Sequence, residues 1–374
     1  MKIGIIREPD FENRVALLPD NIKTLIDLKV KVCIEKNAGT RAFFSDHNYS
    51  DIGAEIVSRD QIFSDSNLII SIHSLTNDEY KKLKPGQAIL TVYSPLTNLQ
   101  LVNTFVDSSI TSFSMDMVPR ITRAQSMDIL SSMATVAGYK AVLEAANHLS
   151  AFFPMFMTAA GTIKPAKILI LGAGVAGLQA VATSRKLGAV VEVFDVRSAV
   201  KEEVKSLGAK FIEVEGARDD SSAGGYAVEQ TEEFKQKQQQ LIQDHAKKSN
   251  VVITTAQIPG KKAPLLITKD TVENMLPGSV IIDLAASTGG NCELTKNNEL
   301  VIHNGVKIIG NSNYPSTIPT DASKMYGNNL INFLKLVIDT NGILKLDFED
   351  EIVRGTCITH NKTIINERVK SIKI

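Results

Sequence analysis

The sequence predicts an α/β protein with two domains, each built on a parallel β-sheet that helices cover on both faces. The chain has 374 residues, and a typical domain occupies roughly 150 residues, so two domains are the first expectation. Short runs rich in Val, Ile and Leu alternate with helix-length amphipathic stretches, which is the order expected of a parallel sheet. This alternation restarts at Lys167, and the restart indicates a second sheet.

Two sets of apolar runs are the strand candidates. The first set is Lys2–Ile6, Val30–Glu35, Asn67–Ser71, Gln87–Thr91 and Thr111–Ser114. The second set is Lys167–Leu171, Val190–Phe194, Lys210–Glu213, Val251–Thr254, Val280–Asp283 and Lys307–Ile309. Helical stretches lie between most of them, such as Pro19–Leu28, where the proline suits the first helical turn.

Two further helical stretches set the predicted domain limits. Gly138–Leu149 is predicted to be a helix that bridges the two domains. Ala322–Ile338 is a long helix with much apolar surface, followed by Ile343–Phe348 and Glu351–Thr359 as a hairpin-like pair. Because that apolar surface must be buried, we expect the long helix to return to the first domain. The first domain is therefore predicted to be discontinuous, with residues 1–135 and 312–374, and the second to comprise residues 136–311.

The charge balance and the composition exclude several classes of protein. Lys plus Arg and Asp plus Glu both number 41. A net charge of zero provides no field that would hold a polyanion, which argues against nucleic acid or anionic lipid as the main partner. Hydrophobic residues make up 44% and charged residues 22% of the chain. These values are typical of soluble globular proteins and exclude intrinsic disorder.

Cysteine usage and apolar stretches indicate the compartment. The cysteines, Cys33, Cys292 and Cys357, are too few and too scattered for a disulfide framework or a zinc site. The six histidines show no metal-ligand spacing. No signal peptide pattern is visible, and the longest uncharged stretches, Leu149–Ile163 and Ile168–Ser184, are shorter than the ~20 apolar residues that span a bilayer. We expect a cytoplasmic protein that holds no metal and does not itself cross a membrane.

A glycine-rich turn follows the first strand of the second domain. The strand Lys167–Leu171 leads into Gly172-Ala173-Gly174-Val175-Ala176-Gly177 and then into a helix-forming run. In such a turn Gly172 permits the tight bend, Gly174 lets the backbone approach a pyrophosphate, and Gly177 lets the helix pack on the strand. The helix N-terminus then faces the phosphates. A strand, this turn and a helix together predict a dinucleotide site.

An acidic residue lies at the position where such a site recognises ribose. Asp195 follows Gly177 by 18 residues, at the end of the predicted strand Val190–Phe194. An acid there accepts both hydroxyls of the adenosine ribose and repels a 2′-phosphate, so NAD(H) is favoured over NADP(H). Arg197 is nearby and could accommodate that phosphate. The whole context disfavours a glycine turn that only packs helix on sheet, and it predicts two Rossmann-like domains with parallel sheets flanking a nucleotide cleft.

A long glycine-containing segment separates the strand near Lys210 from the next helix. Glu213–Gln230 holds several glycines, aspartates and serines. Loops of this length without secondary structure are uncommon in compact domains and tend to be lids or disordered segments. Tyr226 is then a candidate to fold over bound nucleotide. A solvated surface insertion explains the composition equally well.

A polar segment follows the last strand of the first domain. Pro119–Asp128 contains Arg120, Gln125 and Asp128, which could form a hydrogen-bonded cluster beside a nicotinamide ring. The glutamine and the aspartate offer groups that suit a carboxamide. An N-terminal helix cap with a solvated charge pair is the alternative, and the residues alone favour it.

At these motifs the sequence resembles the NAD(H)-binding subunits of proton-translocating NAD(P) transhydrogenases, in the alanine dehydrogenase/transhydrogenase family. The resemblance covers nearly the whole chain. It implies hydride transfer between bound NAD(H) and NADP(H) held on a partner subunit, with membrane-spanning subunits that translocate protons. It also implies a homodimer that reaches the membrane only through its partners. The residues that carry it are Arg120–Ser132, Met157–Thr162, Gly172–Gln179, Gly224–Ala227, Ile253–Gly260 and Pro277–Ala285.

Two strand ends separate this chain from the alanine dehydrogenases, which share the start of the sequence. Those enzymes resemble this family in fold and carry a catalytic lysine and histidine on consecutive strand ends of the first domain. The matching stretches here are Ile70–Leu75 and Leu90–Pro95, where Ser94 aligns with the histidine and no lysine is present. His73 and Arg14 keep a free-standing amino acid dehydrogenase open as an alternative. A non-catalytic NAD-binding module is the second alternative.

The resemblance also implies residue roles. At the nicotinamide end it implies contacts from Gln125, Ser126, Met127 and Asp128, with Arg120 supporting them, and we treat Arg120, Gln125 and Asp128 as catalytic candidates. Gln257 stands where relatives have a leucine. Hydride transfer between two nicotinamides needs alignment and exclusion of water rather than a general acid or base. The remaining implied cofactor contacts are Gly172, Gly174, Val175 and Gly177 at the pyrophosphate, Asp195, Val196 and Arg197 at the adenosine, and Gly225, Tyr226 and Gln238 in the loop and the helix after it.

Overall fold

The computed structural model describes residues 1–214, 232–258 and 261–372. The chain forms two compact units, Met1–Met133 with Pro315–Ile374 and Ala134–Tyr314. Each limit lies within a few residues of the predicted ones. Most of the segment Glu213–Gln230, including Gly225 and Tyr226, lies outside the described residues, as do Pro259 and Gly260.

The strands and helices follow the alternating order predicted from the apolar runs. The strands are β1 (Lys2–Ile5), β2 (Lys31–Glu35), β3 (Glu55–Val57), β4 (Leu68–His73), β5 (Ala88–Val92), β6 (Thr111–Ser114), β7 (Phe156–Thr158), β8 (Gly161–Ile163), β9 (Lys167–Leu171), β10 (Val190–Phe194), β11 (Lys210–Ile212), β12 (Val251–Thr254), β13 (Val280–Asp283), β14 (Leu300–His303), β15 (Val306–Ile309), β16 (Cys357–His360) and β17 (Thr363–Ile364).

The helices lie between the strands and after them. They are α1 (Pro19–Asp27), α2 (Asp46–Ser50), α3 (Arg59–Asp65), α4 (Asn77–Tyr80), α5 (Leu99–Asp107), α6 (Ile129–His148), α7 (Val175–Lys186), α8 (Lys201–Ser206), α9 (Glu232–Ala246), α10 (Lys269–Glu273), α11 (Pro319–Val337), α12 (Glu351–Thr356) and α13 (Glu367–Lys370). Among the residues that the structure describes, none of the helices combines the length and the apolar character needed to cross a bilayer.

The first unit contains a sheet with the strand order β17-β16-β6-β5-β4-β1-β2-β3. Its strands are parallel except β16, which runs antiparallel to β6 and β17. Successive side chains of a strand point to opposite faces, and in β4 Ile70 joins one buried cluster while Ile69 joins another. Both faces are therefore covered, which confirms the predicted α/β class.

The second unit contains a sheet with the order β11-β10-β9-β12-β13-β15-β14. Only β14, at the edge, is antiparallel to its neighbour. Ile168 and Ile170 of β9 pack on one face, and Leu169 and Leu171 pack on the other. The chain passes from β9 to β10 and β11 on one side and then returns to β12 on the other. In open α/β sheets, ligands bind at the carboxyl ends of the strands where the order reverses in this way.

The predicted hairpin after the long helix is wrong in its residues. Glu351–Thr356 is helix α12, because the Asp350 carboxylate accepts a hydrogen bond from the backbone N–H of Ile352 at 2.8 Å and so caps a helix. The antiparallel pair lies further along the chain, in β16 and β17. The long helix α11 begins at Pro319 rather than Ala322, with the proline in its first turn.

Several structural features were not predicted. The short strand β3 pairs with β2 at one sheet edge, and β14 pairs with β15 at the other sheet's edge. β7 and β8 form a separate two-stranded hairpin whose residues are exposed. Helix α6 also begins at Ile129, well before the predicted Gly138.

Candidate functional site

The three glycines of the turn after β9 differ in their surroundings. Gly172 has φ = 105°, a conformation that side chains disfavour. A Cβ on Gly177 would lie 1.9 Å from the carbonyl oxygen of Gly172, so only glycine lets α7 pack so closely on the turn. A Cβ on Gly174 would meet nothing within 4 Å. The turn is therefore closed beneath Gly172 and Gly177 and open at Gly174, as approach of a pyrophosphate requires.

A fourth glycine supports the same helix from the other side. A Cβ on Gly138 of α6 would lie 2.1 Å from the carbonyl oxygen of Ala176. Helix α6 therefore packs directly on the first turn of α7. Sequence reasoning did not assign this role to Gly138, because the glycine lies within a helical stretch and no local pattern marks the approach of a second helix.

Asp195 lies at the end of β10 and is bonded to the glycine turn. Its carboxylate accepts a hydrogen bond from the backbone N–H of Ala173 at 2.7 Å. Arg197 donates to the same carboxylate from its backbone N–H at 2.8 Å and from its side chain at 2.9 Å. Burial opposes ionisation, but these hydrogen bonds outweigh it and lower the pKa of Asp195 below its ordinary value. The ionised acid predicted beside the turn is present, and it already holds Arg197.

Exposed apolar side chains flank this acid. Val175 begins α7 and is 44% exposed, and Val196 follows Asp195 and is 38% exposed. Exposed valines next to a buried carboxylate provide an apolar surface beside a polar anchor, which is the usual composition of a small-molecule site. Gln238, on α9, is half-buried.

The loop after β12 lies against the glycine turn. The hydroxyl of Thr255 donates to the carbonyl oxygen of Gly172 at 3.2 Å. Gln257 is exposed, and its side-chain amide donates to the carbonyl oxygen of Leu284 at 2.9 Å. The predicted contact residue Gln257 is thus bound to the loop after β13. Asn291, from that second loop, donates to and accepts from the backbone of Ala256. Sequence reasoning gave Asn291 no role. The local sequence Gly289-Gly290-Asn291 indicates only a turn at this position.

In the first unit, residues 122–127 form a short helical turn that α11 holds in place. The side-chain amides of Asn329 and Asn332 both donate to the carbonyl oxygen of Ser126, at 2.8 and 3.0 Å. Met127 is buried, whereas Arg120, Gln125 and Ser126 are exposed. The backbone of this turn is therefore fixed while most of the predicted nicotinamide contacts face outward.

Asp128 has the capping role that the residues alone favoured. Its carboxylate accepts from the backbone N–H of Ser131 at 3.0 Å and from the hydroxyl of Ser131 at 2.6 Å, at the start of α6. Arg123 forms a two-bond ion pair with Asp350 at 2.8 and 2.6 Å. A side chain that caps a helix is held in one orientation, so this role is compatible with a contact to a ligand.

A buried charged cluster lies at the carboxyl end of β1 and β4. Arg14 donates to both carboxylate oxygens of Glu12, at 2.8 and 2.6 Å, and both residues are buried. His73 Nε2 lies 2.7 Å from the same carboxylate. Although burial opposes ionisation, Arg14 and His73 hold the pKa of Glu12 well below its usual range. Arg14 and His73, which kept the dehydrogenase alternative open, are therefore bound to an internal carboxylate.

Glu8 lies beside this cluster. Its carboxylate accepts from the backbone N–H groups of Ile72 and His73 at 2.6 and 3.1 Å. Burial dominates over these hydrogen bonds and raises the pKa of Glu8 to about 7. Sequence reasoning gave no role to Glu8 or Glu12, because only the folded chain brings them to His73.

Comparison with known proteins places both units in one family. Residues 4–137 match the family described as "Alanine dehydrogenase/PNT, N-terminal domain", and residues 141–367 match "Alanine dehydrogenase/PNT, C-terminal domain". The chain is 44% identical over 376 residues to an NAD(P) transhydrogenase subunit alpha protein of Rhodospirillum rubrum, covering 98% of both chains. It is 43% identical over 364 residues to the NAD(P) transhydrogenase subunit alpha of Haemophilus influenzae, covering 96% of this chain and 71% of that one.

Two solved structures are similar to the whole chain. The crystal structure of transhydrogenase from Sinorhizobium meliloti has a TM-score of 0.89 and 39% identity, and the match covers 97% of this chain and 100% of that one. An L-alanine dehydrogenase structure has a TM-score of 0.80 at 22% identity, covering 99% of this chain and 98% of that one, and this likeness shows a shared fold.

Proposed function

The chain belongs to the alanine dehydrogenase/PNT family, and from that premise we propose that it is the NAD(H)-binding subunit of a proton-translocating NAD(P) transhydrogenase. The observation that carries this proposal is the bond between the Asp195 carboxylate and the glycine turn, through the N–H of Ala173 at 2.7 Å. This bond brings an acid that can accept ribose hydroxyls next to a turn whose backbone a pyrophosphate can approach.

The second unit binds the adenosine and pyrophosphate portions. The backbone at Gly174 and the N-terminus of α7 receive the phosphates, because free N–H groups and the helix dipole attract anions there. Asp195 accepts the ribose hydroxyls after Arg197 moves away from its carboxylate. Val175 and Val196 provide apolar contacts to the same part of the dinucleotide. Further contacts to the dinucleotide are assigned to Gly172, Gly177, Gly225, Tyr226, Gln238 and Gln257.

Residues of the turn 122–127, together with Asp128 directly after it, orient the nicotinamide. Bound NADH supplies a hydride at C4 of its nicotinamide, and an NADP⁺ held on a partner subunit accepts it. Gln125, Ser126, Met127 and Asp128 contact the nicotinamide end, and Arg120 supports them. Because this step needs no general acid or base, the work of these residues is to fix the ring and exclude water. The bonds from α11 to Ser126 support this assignment.

The charged cluster in the first unit argues against the dehydrogenase alternative. Glu12 occupies both Arg14 and His73 at hydrogen-bond distance. An arginine paired with an internal carboxylate has little capacity left for a substrate carboxylate. The non-catalytic alternative predicts NADH binding without hydride transfer in any assembly.

The assembly is proposed to comprise two copies of this chain with NADP(H)-binding and membrane-spanning subunits. The hairpin of β7 and β8 presents apolar side chains to solvent: Met157 is 74% exposed, and Met155, directly before the hairpin, is 56% exposed. The stretch from Leu149 to Ile163 carries no charged residue, which fits burial against a second copy. In this proposal the chain is cytoplasmic and associates with the inner membrane peripherally, through those partner subunits.

A binding and activity test on the purified chain examines this function. We expect the chain to bind NADH more tightly than NADPH and to show no alanine-dependent reduction of NAD⁺. Equal dissociation constants for the two dinucleotides would remove the argument from Asp195. Substantial alanine oxidation would reject the main proposal and favour the dehydrogenase, with His73 as the first residue to substitute.

A further inference from the structure

A buried polar network joins the loops after β12 and β13 in the second unit. Its centre is Asp283, which ends β13 and is fully buried. The Asp283 carboxylate accepts hydrogen bonds from the Thr254 hydroxyl (3.0 Å), the N–H groups of Ala285 (3.0 Å), Asn291 (2.7 Å) and Cys292 (3.0 Å), and the Thr295 hydroxyl (2.7 Å). A carboxylate with this many donors fixes the loop that supplies them.

Asn291 connects this loop to the loop after β12 through its side chain. Its side-chain oxygen accepts from the N–H of Ala256 at 3.1 Å, and its side-chain amide donates to the carbonyl oxygen of Ala256 at 2.9 Å. The same amide donates to the carbonyl oxygen of Pro264 at 2.8 Å. Asn291 is fully buried. The Asn291 side chain therefore supplies hydrogen-bond partners for both the N–H and the C=O of Ala256, which lies beyond the end of β12.

The clamped residue lies at the carboxyl edge of the sheet, next to the glycine turn. Ala256 follows Thr255, which donates to Gly172, and precedes the exposed Gln257. In the strand order, β12 and β13 lie on one side of β9, whereas β10 and Asp195 lie on the other. A dinucleotide crosses the point where the order reverses. With the adenosine at Asp195, the other half extends over β12 and β13.

We propose that Asn291, itself fixed by Asp283, is the positioning residue for the nicotinamide half of the dinucleotide, an assignment that rests on the proposed function. Asn291 acts through the backbone of Ala256 and touches no ligand. It holds the segment Thr255–Gln257 in the orientation that receives the nicotinamide ribose. Loss of the clamp frees Ala256 and Gln257, whereas Thr255 keeps its own bonds to Leu171 and Gly172, so the adenosine site at Asp195 and Gly174 retains its geometry.

The test compares a whole dinucleotide with its adenosine half. In Asn291→Ala, the dissociation constant for NADH should rise about tenfold, because two backbone hydrogen bonds that order the segment are lost. Binding of 5′-AMP should change by less than about twofold, since its site lies across β9. The matched control is Asn250→Ala, which removes a 2.9 Å bond to the N–H of Lys167 at the opposite end of the strands. The control should leave the NADH-to-AMP affinity ratio unchanged.

A second variant covers the case in which Asn291→Ala does not fold. Thr295→Val removes one donor to Asp283 from a half-buried side chain and should shift the NADH-to-AMP ratio in the same direction by a smaller factor. If the folded variants weaken NADH and 5′-AMP equally, or leave both unchanged, the positioning role is wrong. Failure of the unsubstituted chain to bind NADH would instead reject the proposed function itself.

Discussion

In the proposed function, cofactor choice depends on the carboxylate of Asp195 and on Arg197, which donates hydrogen bonds to it. Arg197 already donates to both carboxylate oxygens of Asp195, so the ribose hydroxyls would have to compete with it for these oxygens. We expect the acid to repel a 2′-phosphate by charge and the arginine to attract one. The Asp195–Arg197 pair therefore combines the acid that favours NAD(H) with the arginine that could accommodate the 2′-phosphate of NADP(H).

Substituting the acid should reduce the preference for NADH over NADPH. Asp195→Ala is expected to weaken NADH binding about tenfold or more, since hydrogen bonds to a charged group are lost, and to weaken NADPH much less. Arg197→Ala should act in the opposite sense, raising the ratio of NADH to NADPH affinity. Fluorescence titration of both dinucleotides measures these ratios. The control is Asp270→Ala, whose carboxylate is mostly exposed, and an unchanged ratio in Asp195→Ala would contradict the assignment.

Glu8 should make the stability of the chain depend on pH near neutrality. Its pKa is raised from 4.5 to about 7. Between these values the folded state holds a proton that the unfolded chain has released, so stability falls as pH rises through this window. The effect is on the order of 3 kcal/mol when complete. Glu8→Gln carries no titrating group there and should lose less stability between pH 5 and pH 8.

Urea denaturation of both proteins at the two pH values measures this difference. Glu55→Gln serves as the control, because that carboxylate is largely exposed and should leave the pH dependence of the parent intact. An equal loss of stability in the parent and in Glu8→Gln would mean that Glu8 titrates normally in the folded state.

Among the strands, several central ones were predicted with their observed bounds, whereas the edge strands β3 and β14 were missed. The bounds of β9, β10, β12 and β13 agree with the apolar runs, because strands buried on both faces must be continuously apolar. The edge strands β3 and β14 are partly exposed. β3 is short, whereas β14 carries an apolar run and the hairpin turn signal Asn304-Gly305, both of which were missed. The error at Glu351 arose because the capping residue Asp350 outweighed the strand-like composition that follows it.

In the candidate site, contacts between residues close in the sequence were predictable, and contacts across long separations were not. The glycine turn and Asp195 follow from residues near one another in the sequence, and their contact is observed. Glu12 meets His73, and Asn291 meets Ala256, across long separations in the chain. Contacts of that kind depend on strand order, which a single sequence does not specify. The roles assigned to Arg120, Gln125 and Gln257 remain predictions.

The turn 122–127 should depend on α11 for its function. The double variant Asn329→Ala/Asn332→Ala removes both donors to Ser126. We expect a several-fold lower rate of hydride transfer in the reconstituted complex with little change in 5′-AMP binding, because only the nicotinamide contacts lose their support. Asn328→Ala is the matched control on the same helix, since its side chain bonds to Asn21. Equal transfer rates in the double variant and the control would contradict this role.

The exposed hairpin of β7 and β8 predicts that whole molecules associate with one another. Met157→Asp places a charge on the most exposed apolar side chain of the β7–β8 hairpin, and burying an unpaired charge in an interface is costly. Sedimentation equilibrium should show a dimer for the parent and a shift toward monomer for this variant. Ile302→Asp, on the exposed edge strand β14, should remain dimeric. A monomeric parent, or a variant that stays fully dimeric, would show that another surface joins the copies.

We propose that this chain holds NADH while its hydride passes directly to NADP⁺ on another subunit. The most direct measurement uses NADH with deuterium at the transferred C4 position, mixed with this chain, the NADP(H)-binding subunit and NADP⁺. We expect NADPH that carries the deuterium at C4, in an amount equal to the NADH consumed, and no reaction when either protein is omitted. Loss of the deuterium to water, or NADPH formation without this chain, would contradict it.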